Sequence, residues 1–506
     1  MDAISNGCDQ MEQKKVITIA VVLIVIVAAA AAAIVMTGDD DKSKSSDAEL
    51  SLLSEDFSPC LMVYGNVNED LTIDENDAKA LETALANGTA SSLTYADANF
   101  DGKVDADDVT YIRSIINATV ASPVTVKHIN RFTDGDYWTE SKYPIESFAM
   151  SATANIVMMM KYAGIKDEIK AIAYYSKIDS TLYSDYQDFF CDSTKSFKPT
   201  NTYTYLVGAT AGYFAKELVM NHIISDNITA IITADNSSTY LVGDKDNTKG
   251  YGMTEQEAKD KGLSVIRVAA ASTDPESYLS DIALLNFFCK KDVSKIQSMS
   301  DWYKSTITDL NDKLTSNVGK NTDQVNFAVS SATSYSKASD GTVTTYNYIS
   351  SGTSDYTAVV TAAGGNFALK DYDFKGSSSS AKMTDLGKWL IDYNIDKIIV
   401  IKTGSGFSWY GGTVISSGLK TVQSCALAFS DSEPYYNGEV YVLSGDMPIL
   451  LRTVYAASIL YPEICTKEWA DSCNVAHCTQ FLGLSADVVK AGQYYVSMAD
   501  MGLPGN

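Results

Sequence analysis

The stretch DPESYLSDIALLNFFCKKDVSKIQSMSDWYKSTITDLNDKLTSN, residues 274–317, decides how the rest of this chain is arranged. Asp274-Pro275-Glu276 is a helix start: a carboxylate to accept from free backbone N–H groups, a proline pre-set for the first turn, and an acid near the positive end of the dipole. Tyr278, Ile282, Leu285 and Cys289 follow at helical spacing. Lys290-Lys291-Asp292 interrupts the pattern. Ile296, Met299, Tyr303, Ile307, Leu310 and Leu314 then resume it in steps of three and four, as one buried stripe. The second segment alone reaches roughly 35 Å at the usual helical rise, more than one small lobe needs. Strand-like and helix-like patterns alternate on both sides of it. The expectation is a strut over 274–318 joining two Rossmann-like α/β lobes, 124–273 and 319–506, with a cleft between them.

The patterns outside the strut are these. A hairpin over Val124–Glu140 turns at Asp134-Gly135. Strands are expected near Ile145–Met150, Ile169–Tyr175, Tyr203–Val207, Ile228–Thr233 and Leu263–Ala269, and helices at Ile156–Gly164, Ala215–Ile223 and Thr254–Lys261. After the strut, Val325–Val329, Ile395–Ile401 and Gly438–Leu443 read as strands. Tyr356–Ala363, Met383–Tyr393, Val414–Ala426, Pro448–Leu460 and Ala486–Tyr495 read as helices. Strands separated by helices imply parallel pairing.

Composition narrows the function. The net charge of −24 and the presence of only four arginines (Arg113, Arg131, Arg267, Arg452) argue against nucleic acid as a partner, because nothing would offset phosphate repulsion. Three histidines (His128, His222, His477) starve most histidine-based catalysis, and no nucleophile triad, phosphate loop or paired-carboxylate motif stands out, so no enzyme activity is expected. Val16–Met36 is a charge-free run of 21 residues, apolar except for Thr18 and about enough to cross a bilayer as a helix. Lys14 and Lys15 before it, and Asp39, Asp40 and Asp41 after it, place residues 1–15 in the cytoplasm and the bulk of the chain outside the cell, held by a single membrane pass. A cleaved signal peptide is the rival reading. Sequons at Asn87, Asn117, Asn227 and Asn236 fit an external location, and seven of the eight cysteines follow the apolar run. Cys465, Cys473, His477 and Cys478 form a weak metal-site pattern. Residues 37–59, acidic and serine-rich, read as a stalk or linker.

An internal repeat follows. Asn66-Val-Asn68-Glu-Asp70-Leu-Thr72-Ile-Asp74-Glu-Asn-Asp77 is matched 31 residues later by Asp97-Ala-Asn99-Phe-Asp101-Gly-Lys103-Val-Asp105-Ala-Asp-Asp108. Oxygen-bearing side chains fall at loop positions one, three, five, nine and twelve, with Thr72 or Lys103 giving a backbone carbonyl at seven, as a loop wrapping one calcium ion requires. The first loop departs from the pattern at Asn66, where a carboxylate leads, and at Leu71, where a glycine eases the turn; Gly102 supplies it in the second. Each loop runs into a helical pattern. Residues 60–119 resemble a type I dockerin, a small all-α, EF-hand-like unit. The resemblance implies one or two structural calcium ions and a cohesin-like partner. Positions ten and eleven, Glu75-Asn76 and Ala106-Asp107, are not the Ser/Thr pairs of familiar dockerins.

Across Val124–Met501 the chain resembles an ABC-transporter substrate-binding protein of the ferric-siderophore, haem and cobalamin class. The resemblance rests on order: the opening hairpin, Tyr143-Pro-Ile-Glu-Ser-Phe-Ala-Met150, Lys161-Tyr-Ala-Gly-Ile165, Asp226-Asn-Ile-Thr-Ala-Ile-Ile-Thr233, Lys259-Asp-Lys-Gly-Leu-Ser-Val-Ile266, the strut, Ala362-Ala-Gly-Gly-Asn366, Ile395-Asp-Lys-Ile-Ile-Val400, Tyr436-Asn-Gly-Glu-Val-Tyr-Val442 and Ala456-Ala-Ser-Ile-Leu-Tyr-Pro-Glu463. Strand ends would line the cleft. Candidates are Ser151, Thr153, Tyr174, Tyr175, Asp235 and Asn236 from the first lobe, and Ser330, Ser331, Ser405, Trp409, Asp446 and Arg452 from the second. The resemblance implies one acid per lobe for docking on a permease, at Glu217 and Asp385. The expected ligand is a metal chelate or tetrapyrrole, and a highly anionic catecholate is disfavoured with one arginine near the cleft. A surface adhesion or scaffold protein attached through the dockerin-like unit is the alternative.

Overall fold

The computed structural model describes residues 50–132, 135–151, 154–174, 204–207, 227–234, 254–270, 272–320, 322–337, 339–374, 380–383, 393–402, 422–430, 432–445 and 447–503. The apolar run 16–36 lies outside them; among the described residues no helix is long and apolar enough to cross a membrane. The expected helix at 215–223, residues 414–421 of that at 414–426 and most of that at 383–393 also lie outside them; residues 422–426 are helical as expected.

The first sheet has five described strands: β3 (Phe148–Ser151), β4 (Ile169–Tyr174), β5 (Thr204–Val207), β6 (Ala230–Ala234) and β7 (Ser264–Val268), all parallel, in the order β5-β4-β3-β6-β7. That is the doubly wound order, built outward from β3 in both directions. The hairpin β1 (Val124–Asn130) and β2 (Tyr137–Tyr143) is a separate antiparallel pair welded to the β7 edge. Asn130 accepts from the Arg267 N–H at 2.9 Å and donates to the Val265 carbonyl at 2.8 Å, and the Tyr137 hydroxyl donates to Glu255, itself 3.3 Å from the Arg267 guanidinium.

The second sheet is built on β8 (Asn326–Lys337), β12 (Lys397–Lys402) and β13 (Val440–Ser444), mutually parallel. Antiparallel β9 (Val343–Ser350), with β11 (Ser380–Met383) beyond it, extends one side, β14 (Tyr495–Val496) the other, and β10 (Asn366–Phe367) pairs briefly with β8. Two expectations are corrected here. Met383 ends a strand rather than opening a helix. The last helix stops at Lys490, and Tyr495 belongs to β14. The β8–β9 ribbon was not foreseen because its Ser, Thr and Tyr residues give no apolar-polar contrast.

Between the sheets runs α5 (Pro275–Phe288), an elbow, then α6 (Ser294–Asn317). Asp274 caps α5 by accepting from Glu276 N at 3.3 Å and Ser277 N at 3.0 Å. Every α5 residue except Glu276 and Ser277 is buried, a helix covered on all sides rather than along one stripe. In α6 the stripe is as read: Ile296, Met299, Tyr303, Ile307, Leu310 and Leu314 are buried. The elbow is fixed by Asn286, whose amide donates to the carbonyls of Ala163 and Asp292 at 3.1 Å each, and by the 2.6 Å pair Lys291–Glu168.

Residues 50–59 are not a free linker, which corrects that part of the expected stalk. They form a strap over both helices because Phe57 finds cover (3% exposed) and Glu55 finds donors. Thr308 and Asn311 donate to Glu55 at 2.9 and 2.8 Å, Asn311 also to the Leu53 carbonyl at 2.9 Å, and the Ser58 and Cys60 N–H groups donate to Glu276 and Ser280 at 2.9 and 3.1 Å. Truncating Phe57→Ala is expected to cost about 3 kcal/mol or more of unfolding free energy, read from denaturant midpoints; a loss no larger than that of an exposed residue refutes the strap.

Two buried histidines each contribute stability that acid removes. His128 lies against the Ile129 carbonyl and the Ser141 hydroxyl, each at 2.8 Å, and His477 against the Tyr162 hydroxyl at 2.5 Å. Burial pushes them down to about 4 and about 3. Both lie below the value of roughly 6.5 in an unfolded chain, so between there and pH 4 the unfolded state binds more protons. Their contribution is fully present above that value and lost as pH falls. Replacing both by glutamine should flatten the slope of stability against pH between 6.5 and 4 in urea titrations. An unchanged slope would assign the acid sensitivity elsewhere.

Candidate functional site

The calcium-loop repeat folds into two units with matching caps and turns. Asp74 and Asp105 cap α1 (Glu75–Ala86) and α2 (Ala106–Asn117), each through a capping box closed by the residue at loop position twelve. Asp77 accepts from Asn68 N at 3.1 Å and Asp74 N at 2.8 Å; Asp108 accepts from Asn99 N at 3.2 Å and Asp105 N at 2.8 Å. Asx turns repeat as well: Asn68 and Asn99 accept from Asp70 N and Asp101 N at 3.1 and 3.0 Å, and Asp70 and Asp101 from Thr72 N and Lys103 N at 2.8 and 2.9 Å. Both loops turn through a left-handed residue at position four, Glu69 (φ 57°) and Phe100 (φ 64°). Gly102, at φ 84°, adds a second such turn only in the second loop.

The position-one side chains test whether an ion fits. Asp97 Oδ1 and Asn66 Oδ1 are both buried without a hydrogen-bond partner. Asp97 holds Gly102 N with its other oxygen at 3.1 Å, and Asn66 holds the carbonyls of Leu61 and Asp70 with its amide at 2.7 Å each. An orphaned, desolvated acceptor at the same place in both loops is the demand a hard cation meets. Burial also pushes the carboxyls of Asp77, to about 6, and Asp108 upward, the mark of anions lacking a counter-charge. Among the described residues no three His, Cys, Asp or Glu side chains are grouped as a metal site by themselves. The case for calcium therefore rests on the paired loops and their orphaned oxygens. Asp97, Asn99, Asp101, Asp105 and Asp108 with the Lys103 carbonyl would hold one ion, and Asn66, Asn68, Asp70, Asp74 and Asp77 with the Thr72 carbonyl another.

The second candidate region lies at the carboxyl ends of the strands. In the first sheet the strand order reverses between β3 and β6, where an open sheet leaves its crevice. Ser151 is the last residue of β3 and Tyr174 the last of β4. Thr153, Tyr175, Asp235 and Asn236 lie outside the described residues, as do Ser405, Trp409, Asp446 and the docking acids Glu217 and Asp385. In the second sheet the parallel pairing of β8 ends at Ser330 beside Val400, and Ser331 continues into the β8–β9 ribbon. Ser330 is buried, its hydroxyl donating to the Tyr348 carbonyl at 3.2 Å.

Arg452, expected to line the cleft, is 1% exposed and acts instead as an interior tie. It sits in α9 (Ile449–Leu460; α8 is the short turn Glu433–Tyr436) and donates to the Met447 carbonyl at 2.8 Å. It reaches Asn155 at 3.5 Å in α3 (Ala154–Ala163) of the first lobe, and Asp355 at 3.9 Å, which opens α7 (Asp355–Ala362; α4 is Glu255–Asp260). Sequence reasoning passed over Asn155 and Asp355. Their one signal is position, just after a strand end and at a helix start. His477, in α10 (Lys467–Phe481; α11 is Ala486–Lys490), packs on Tyr162 and Trp302, and Cys465, Cys473 and Cys478, all outside disulfides, do not come together with it as a metal-holding group.

Comparison with known proteins gives two findings. Residues 64–117 match the model of the dockerin type I domain. No curated protein matches the chain. Among solved structures, the TroA-like periplasmic binding protein FepB from Veillonella parvula is 16% identical over 73% of this chain and 99% of its own, with a TM-score of 0.50. A periplasmic solute binding protein from Veillonella parvula DSM 2008 follows at 12%, covering 71% of this chain and 94% of its own, TM-score 0.47. CeuE of Helicobacter pylori, in a nickel–histidine complex, stands at 13%, 72% and 98%, TM-score 0.46. At these identities the likeness is one of fold. The chain carries a type I dockerin domain, a calcium-binding module, and a mixed α/β body folded like the class III periplasmic binding proteins.

Titration calorimetry should find two calcium ions bound per chain, the second loop tighter because it carries one more carboxylate. Asp97→Ala and Asn66→Ala should each remove one ion. A stoichiometry of one that Asn66→Ala leaves unchanged would mean that the first loop binds none.

Proposed function

We propose that this protein is a membrane-anchored, extracellular solute-binding protein that captures an iron complex, haem or a cobamide in the cleft between its lobes and delivers it to an ABC permease. The observation that carries this reading is the pairing of two sheets with parallel cores, one in doubly wound order, across a 24-residue helix. It is supported by the fold shared with Veillonella parvula FepB. Such a sheet offers its ligand crevice at its carboxyl edge. The α6 rod, braced partway along by the 2.6 Å bond from Trp469 to Asp309, would resist bending, so release would come from small lobe movements against the permease rather than wide hinge travel. The run Val16–Met36 would anchor the chain and raise its effective concentration beside that permease. Glu217 and Asp385 are the proposed docking acids and Ser151, Thr153, Tyr174, Tyr175, Asp235, Asn236, Ser331, Ser405, Trp409 and Asp446 the proposed lining.

A second reading is favoured by one observation, the dockerin match over 64–117. It makes the protein a surface scaffold held through a cohesin-like partner. Titrating the full chain in detergent with haemin, cyanocobalamin and ferrioxamine separates the two. The first reading expects one of them to quench tryptophan fluorescence saturably at micromolar concentration or below. Silence toward all three, together with calcium-dependent capture by a cohesin, would favour the scaffold.

A further inference from the structure

The dockerin unit is not held at arm's length from the body. It is fastened to the elbow between α5 and α6, and one of the two places where its first loop departs from the calcium pattern lines that seam. At position one, the Asn66 amide grips the Leu61 carbonyl, and Leu61 N in turn donates to the Asp70 carbonyl at 2.7 Å, so the segment that follows the strap is stitched into the loop. At position six, where the second loop has glycine, Leu71 is buried. Leu71, Thr72 and Ile73 face Tyr143, Phe287, Lys290 and Lys291 across a groove of about 200 Å³. Thr72, the residue whose carbonyl would meet an ion, is therefore also a wall of the seam with the elbow.

Three further ties run the same way. Lys290, left-handed at φ 51°, donates to the carbonyls of Ala118 at 2.7 Å and Ile116 at 3.3 Å, a cation on the carboxyl end of α2. The Tyr64 N–H donates to the Lys127 carbonyl at 2.9 Å, and Ile129 N to Met62 at 3.2 Å, so residues 62–64 lie beside β1 as a short extra strand. Arg131 closes the circuit, bonded to Asp281 in α5 at 3.1 Å and to the Met62 sulfur at 3.3 Å.

We propose that the loops are a calcium clasp on the solute-binding body: ions in them stiffen the α5–α6 elbow, and their loss loosens the helix pair that joins the lobes. An ion that binds only the folded loops stabilises whatever unfolds with them. Here the loops share a seam with α5, the strap and the hairpin, so that is the whole body rather than a spacer. This does not depend on which solute the cleft takes.

The test uses the full chain in detergent, with calcium against chelator and against equal magnesium. Calorimetry should show one main transition whose midpoint rises by several degrees with calcium. Hydrogen exchange at residues 284–296 should slow several-fold. The paired change Lys290→Ala with Phe287→Ala, both outside the loops, should leave calcium bound by calorimetry while the elbow's exchange no longer responds. A small separate transition that alone responds to calcium, with exchange at 284–296 unchanged in the unaltered chain, would overturn the proposal. So would an elbow response that persists in full in the paired variant.

Discussion

A helix that is apolar on every side cannot lie on a surface, and the architecture of this chain follows from covering one. All of α5 but Glu276 and Ser277 is buried. Covering a single stripe takes one neighbour; covering the full circumference takes four. The first lobe supplies α3, through Asn286 to Ala163. The hairpin supplies Arg131 to Asp281, whose second oxygen also holds Ala269 N at 2.7 Å. The strap supplies the Ser58 and Cys60 N–H groups to Glu276 and Ser280, and the dockerin unit brings Leu71 and Ile116 to the end at Phe287. Each burial is favourable through the apolar area it removes from water, and each is made specific by one or two polar ties.

The second lobe meets the first through α6 and the returning C-terminal helix rather than through the sheets. Tyr162 on α3 bonds to His477 on α10, and His477 packs on Trp302 of α6, so three helices from three parts of the chain share one aromatic knot. Arg452 bonded to Asn155 is a second tie between lobes, close to the strand ends. A body joined in this way has its ties concentrated on the helices rather than on the sheets.

Much of this was legible in the sequence, and the limits are physical. The calcium repeat was readable because ion ligation fixes residue type at fixed spacing, whatever surrounds the loop. The α6 stripe was readable because one face is wet. For α5 the spacing of Tyr278, Ile282 and Leu285 suggested one stripe; nothing in its periodicity said that Leu279, Leu284 and Phe288 would also be covered, since that depends on distant segments. The strap was misread for the same reason. Its few apolar residues matter only because α6 offers Thr308 and Asn311 to Glu55. The β8–β9 ribbon was invisible for want of contrast. The rule about strand ends fixes positions along the chain but not which side chains turn inward, and Ser330 and Arg452 are buried.

The arginines give the last step. A chain with a net charge of −24 has four of them, and three are interior ties between elements. Arg131 joins the hairpin to α5, Arg267 joins β7 to Glu255, and Arg452 joins the two lobes. The fourth, Arg113, is exposed and bridges Glu75 and Glu82 at 2.7 and 2.9 Å within the dockerin unit. Guanidinium is the cation best suited to such joints, since it stays charged when buried and its planar donors fix direction as well as distance. Under the solute-binding role proposed above, all four arginines are already committed to such joints, so none would be left to offer a ligand a bidentate cationic fork.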